Sequence, residues 1–99
     1  MSTLKALNDS KSEGLEKILH TINHLSSSNI HIRKHLEVSH RQSFTIYDML
    51  SDAKIGSITA NYQADTITIQ SQVHSDIRLY TITEPKDYLK LLFYLSDIK

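Results

Sequence analysis

Six histidines are the residues most able to do chemistry in this chain, and three of them fall within a dozen positions, in "NIHIRKHLEVSH" (29–40). Clustered imidazoles suggest metal ligation, a grip on phosphate, or a response to pH. His20 and His24 lie four apart, the spacing that sets two rings on one face of a helix. A zinc or copper site needs a third ligand and a carboxylate to orient the rings, and "HTINH" lacks the internal glutamate of H-E-x-x-H. With Leu15, Ile18 and Ile22 turned inward, both histidines point nearly the opposite way, into solvent.

On a strand, His31 and His35 share a face but stand about 13 Å apart at the usual rise. Zinc–nitrogen bonds are about 2 Å long, so one ion cannot bridge that gap. On a helix the same two rings would be neighbours, so the judgement depends on the strand assignment. A composite site joining His20 and His24 to a sheet histidine is the remaining metal arrangement. No metal and no cofactor is expected. Full protonation of the histidines would move the formal charge from 0 to +6 around pH 6 to 7. A pH sensor needs those rings buried or at an interface; as surface groups they would only add solubility.

Residues 30–42 are the one locally positive segment, with Arg33, Lys34 and Arg41 against Glu37. His31, Arg33 and His35, flanked by Lys34 and Arg41, form a candidate basic strip that could lie along phosphates. RNA-binding sheets add aromatic rings for stacking, and Tyr47, Tyr62 and Tyr80 sit on later strands. Against that reading, tyrosine favours strands anyway, and there is no phosphate-cradling glycine loop or basic recognition helix. Net charge is zero with histidines neutral, so no whole-protein field attracts nucleic acid or an acidic membrane.

Catalytic constellations are missing. There is no G-x-S-x-G elbow. Gly56, in "KIGSI", most simply begins a strand or marks a bulge. Asp48, Asp52, Asp65 and Asp76 fall at strand ends and turns, which aspartate prefers for backbone reasons. Cysteine is absent, which removes disulfides, thiolate metal sites and thiol nucleophiles together. The chain is not expected to be an enzyme.

The elements that would hold these residues follow from periodicity. Leu15, Ile18, Leu19, Ile22 and Leu25 form one helical stripe, with Ser10 and Glu13 matching a capping box and "SSSN" (26–29) as its end. Residues 1–9 add a helical turn through Leu4 and Leu7, or form a loose tail. From Ile30 the period becomes two: Ile30, Ile32, Leu36 and Val38 alternate with polar residues, which predicts a half-buried strand, with a helix over 31–38 as the competing reading. Turn signals in "SDAK", "QAD" and "HSD", roughly every eleven residues, then separate runs rich in Ile, Thr and Tyr and predict successive hairpins. Thr83 or Glu84 caps a last helix, with Pro85 near its first position. That helix is apolar almost all round.

At 99 residues, 39% hydrophobic and 22% charged, the chain reads as one domain spanning 1–99. The expected fold is α+β: an antiparallel β-meander of four to five strands, flanked by an N-terminal and a C-terminal helix packed on one sheet face. No stretch approaches the roughly 18 apolar residues of a membrane span, and no signal-peptide run is present, so a cytoplasmic protein is expected. Composition hints at an AT-rich bacterial or phage genome. The expected function is a small interaction protein: a regulator, adaptor or inhibitor binding another protein or a second copy of itself. Two surfaces offer themselves, the last helix through Tyr88, Leu91, Leu92 and Tyr94, and the open sheet face. A nucleic-acid-binding regulator using the basic strip at residues 31–41 is the alternative.

Overall fold

A computed structural model describes residues 2–24, 29–84 and 86–98, with side chains from Glu13 onward. Helix α1 runs Ser2–His24; strands β1 (Ile30–Val38), β2 (Arg41–Asp48), β3 (Lys54–Asn61), β4 (Thr66–Ser71) and β5 (Asp76–Thr81) follow, and helix α2 (Asp87–Ser96) closes the series. The strands pair antiparallel in sequence order, β1-β2-β3-β4-β5, so the fold is the expected α+β meander with a helix at each end.

α1 is longer than its capping signal implied. Ser10 lies inside the helix rather than at its N-cap, and residues 2–9 are its first turns. Glu13 is therefore mid-helix as well. The end assigned to "SSSN" lies outside the described residues except for Asn29, as does Leu25. Leu15, Leu19 and Ile22 are fully or nearly fully buried, and Ile18 packs at their margin, as the stripe predicts.

The inner sheet face supplies Ile30, Ile32, Phe44, Ile46, Ile58, Ala60, Ile67 and Ile69 to the same core, α2 adds Leu91 and Leu95, and Ile98 follows just past its end. Each such side chain contributes roughly 1.5–3 kcal/mol of burial. Thus one continuous core lies between the sheet and the two helices, and the opposite sheet face is open.

The hairpins after β2, β3 and β4 share one device. A polar residue near each strand end turns its side chain onto the following loop. Asp48 accepts from the Leu50 N–H and the Ser51 hydroxyl; Asn61 accepts from the N–H groups of Gln63 and Ala64; Ser71 accepts from the His74 N–H. Four residues later the chain enters the left-handed region, at Asp52 (φ 60°), Asp65 (φ 56°) and Ser75 (φ 55°). Aspartate tolerates that conformation better than most residues, because its short side chain bonds locally.

α2 begins differently from its expected cap. Lys86 is the N-cap and offers no side-chain hydrogen bond, and Pro85 lies outside the described residues. Instead Asp87, in the first turn, reaches back: its Oδ2 accepts from the N–H groups of Thr83 and Glu84, both at 3.0 Å.

Candidate functional site

β1 is a strand, but its alternation breaks in the middle. Ile30 pairs with Asp48, Ile32 with Ile46 and Lys34 with Phe44; then the register shifts, and Leu36 pairs with Ser43, Glu37 with Gln42 and Val38 with Arg41. His35 is the extra residue of a bulge. Past it the faces exchange, because one inserted residue flips the side-chain parity. Leu36 and Val38, expected inward, are about half exposed on the open face, and Glu37 turns to the inner face.

Lys34, in step with Ile30 and Ile32 ahead of the bulge, does not belong to the basic strip. It sits at an inner-face position, bridged to Glu16 of α1 at 3.0 Å and to Glu37 at 2.7 Å. Glu37 also accepts from the Gln42 amide at 2.7 Å, and Gln42, only 2% exposed, accepts in turn from the Tyr62 hydroxyl. The bonds from Lys34 and Gln42 hold the Glu37 carboxyl below its usual range, and Glu37 and Glu16 raise the Lys34 ammonium. This chain of contacts closes the end of the core beside α1. Tyr62, a candidate stacking ring, is buried in it, and Tyr80 packs against the core as well.

What remains on the open face is sharply sorted by charge. Reading the pairings across the sheet gives one row of His31, Tyr47 and Lys54. The next is Arg33, Thr45, Ser57, Gln70 and Ile77; then Leu36, Ser43, Thr59, Thr68 and Leu79; then Val38, Arg41, Asn61, Thr66 and Thr81. Among the described strand residues no carboxylate occupies an open-face position, although the chain holds as many acids as Lys and Arg combined. Arg33, Arg41 and Lys54 supply the cations at the β1–β2–β3 side, and among the described residues none of the three forms a salt bridge. The Arg33 guanidinium lies over the Tyr47 ring, 5.3 Å from its centre, an attraction that keeps the cation by that ring. Hydroxyls and amides form the floor between this basic side and the aliphatic edge of β5.

The histidines are dispersed. His20 and His24 stack at 4.2 Å on the exposed side of α1, and His24 Nδ1 lies 2.9 Å from the His20 carbonyl. His31 is half-buried beside Tyr47, and His35 is exposed on the bulge. Among the described residues no group of three His, Cys, Asp or Glu is placed to hold a metal ion.

On α2 the four candidate contact residues point inward to differing degrees. Leu91 is fully buried, and Tyr88, Leu92 and Tyr94 are partly buried against the core. Tyr88 lies over α1 at Gly14, where an added Cβ would stand 3.1 Å from its ring. Tyr94 donates to Asp76 at 3.0 Å and lies beneath the Arg78 guanidinium, 4.7 Å from its ring centre. The sheet and α1 thus cover the helix on two sides, and its apolar residues left in solvent are Leu89 and Phe93.

A surface dent between Tyr62, Asp65 and Tyr88 has room for about one water molecule. No described helix is long and apolar enough to cross a membrane. Comparison with protein-family models, with curated proteins and with solved structures returns no match for this chain.

Proposed function

We propose that this chain is a small, non-enzymatic interaction module, a regulator, adaptor or inhibitor, whose working surface is the open sheet face and whose partner is an acidic segment of another protein. One observation supports this above the rest: in a chain of zero net charge, every carboxylate on the described strands lies off that face, while Arg33, Arg41 and Lys54 lie on it. A solvated face with no partner has no reason to exclude one sign of charge. The flat floor of Ser43, Thr45, Ser57, Thr59 and Thr68 offers donors that an acidic segment could use, and cations at its margin would steer that segment in.

A second reading, nucleic-acid binding, draws on one specific feature: Arg33 stacked on Tyr47 beside His31, an aromatic and cationic surface of the kind on which a base or phosphate settles. Fluorescence anisotropy separates the two. Labelled oligo-glutamate peptides and mixed-sequence single- and double-stranded oligonucleotides are titrated from low to physiological salt, with Arg33→Glu as the control. Peptide binding lost in Arg33→Glu supports the first reading. Oligonucleotide binding that falls steeply with salt and is lost in the same variant supports the second. No binding of either, or binding that survives Arg33→Glu, overturns the open face as the working surface.

A further inference from the structure

The two edges of the sheet are treated very differently. Hydrogen bonding alternates along an antiparallel ladder, so every second residue of an edge strand turns its N–H and C=O outward. On β1 the outward residues include Ile32, whose N–H and C=O are both taken by the Asn23 side chain at 2.8 and 3.0 Å. Lys34 and the bulge at His35 interrupt the rest of that edge. These are the devices by which proteins prevent edge-to-edge pairing.

β5 has neither the bulge nor the capping amide, and its inner-face charges, Asp76 and Arg78, pair with each other at 3.3 Å. Ile82 N–H donates to the Asp65 carbonyl, which fixes the phase of the ladder. Asp76, Arg78 and Tyr80 therefore bond to β4, and Ile77, Leu79 and Thr81 turn outward, with no partner among the described residues. Pairing with β4 runs without a break from Asp76 to Thr81. The side chains of the outward residues stand on the open face, with Ile77 68% and Leu79 66% exposed. A regular edge strand with two exposed aliphatic residues is a template for another strand.

We propose that the occupant is a second copy of this chain, paired antiparallel along β5. The strand is complementary to itself. Setting Ile77 opposite Leu79 of the second copy brings all four aliphatic side chains together on one face. On the other face this register sets Arg78 opposite Arg78 of the second copy, a like-charge contact offset by each chain's own Asp76, 3.3 Å from the Arg78 Nε, and by the other copy's Asp76, which lies diagonally across within reach of a long side chain. Net charge of zero adds no repulsion between copies. The two-fold axis stands perpendicular to the sheet. Two five-stranded sheets then form one of ten strands, with both open faces on the same side and a basic margin at each end.

Sedimentation velocity over a wide concentration range tests this. The wild type forms a dimer, Leu79→Lys loses it without a change in melting temperature at dilution, and Leu36→Lys, on the open face of β1, retains it. A wild type that stays monomeric throughout, or a dimer that survives Leu79→Lys, overturns the proposal. Register is read by cross-linking, since the chain has no cysteine of its own. A mixture of Ile77→Cys and Leu79→Cys chains couples through a short bis-maleimide faster than either alone; faster coupling of either alone overturns the register. Anisotropy with Arg33→Glu reads the open face separately, so a monomer that binds acidic peptide overturns only the dimer, and a dimer that binds nothing overturns only the proposed function.

Discussion

The Asn23 side chain pairs with the backbone of Ile32 as a neighbouring strand would, donating from Nδ2 to the Ile32 carbonyl and accepting at Oδ1 from the Ile32 N–H. One amide from α1 therefore ties the helix to the sheet and blocks the middle of an edge. Asn23→Ala leaves two part-buried backbone groups unpaired, at a cost of about 1–3 kcal/mol. The melting temperature should fall by roughly 4–8 °C for each kcal/mol lost. The variant should also associate more readily at high concentration, as its β1 edge opens. Thermal unfolding at dilution measures the first effect and light scattering the second; an unchanged melting temperature would show that water replaces the amide without loss.

Gly56 stands where the backbone of β4 crowds β3. A Cβ built there meets the Gln70 backbone carbonyl oxygen at 2.5 Å, and backbone, unlike a side-chain tip, cannot step aside. Gly56→Ala should destabilise by about 2 kcal/mol or more through forced separation of β3 from β4. Gly14→Ala is the contrast. Its Cβ meets the Tyr88 ring at 3.1 Å, but alanine gains about 1 kcal/mol of helix propensity over glycine, so the net change should be small. Urea denaturation of the two variants checks the ordering, and equal losses would contradict it.

Periodicity and turn chemistry were enough to read the order of the elements. Alternation marked the strands, polar residues at loop positions marked the hairpins, and the Leu15–Ile22 stripe marked the buried face of α1. The candidate site was less legible, because it depends on a feature with no local signal. The bulge at His35 carries no glycine, and it decides that Glu37 turns inward and Leu36 and Val38 outward, whereas Lys34 follows the alternation of Ile30 and Ile32 ahead of it. Acid-free composition of the open face likewise emerges only once pairing assigns Asp76 and Glu37 to the other side. The all-round apolar look of α2 resolved into two kinds of contact, since a helix wedged between a sheet and another helix buries more than one stripe.

The Asp87 carboxylate should govern part of the acid limb of stability. The N–H groups of Thr83 and Glu84 hold it below the usual carboxylate range. A carboxyl lowered in the folded state binds protons more readily when unfolded, so its contribution is full above the unfolded value, about 4, and is lost as pH falls through the folded one. Asp87→Asn should be less stable than wild type at neutral pH, and the difference should shrink as pH drops below about 4. Denaturant midpoints across that range check the sign; a gap that widens in acid would reverse the assignment.

Ser75 adopts a left-handed backbone, φ 55°, at the exposed turn before β5. Glycine reaches that region without the crowding of a Cβ, and relief of about 1 kcal/mol is expected, reduced by the greater freedom glycine has when unfolded. Ser75→Gly should therefore raise the melting temperature by a few degrees, and a fall would show that the Ser75 side chain supports the turn.

Two leucines on α2 distinguish core from surface. Leu91 is fully buried and Leu89 about half exposed on the same helix. Leu91→Ala should cost about 2–5 kcal/mol, since it deletes buried methyl groups and leaves a cavity between the sheet and α1. Leu89→Ala removes contacts mostly with solvent, and its cost should stay below about 1 kcal/mol. Equilibrium unfolding at dilution, where association does not contribute, gives both values directly. If Leu91→Ala proved as mild as Leu89→Ala, the helix would not be seated as the structure has it, and its inward residues would again be open to a partner. The predicted gap between the two measures how deeply α2 is seated in the core, the same seating that lets its Tyr94 hydroxyl donate to Asp76 at the start of β5.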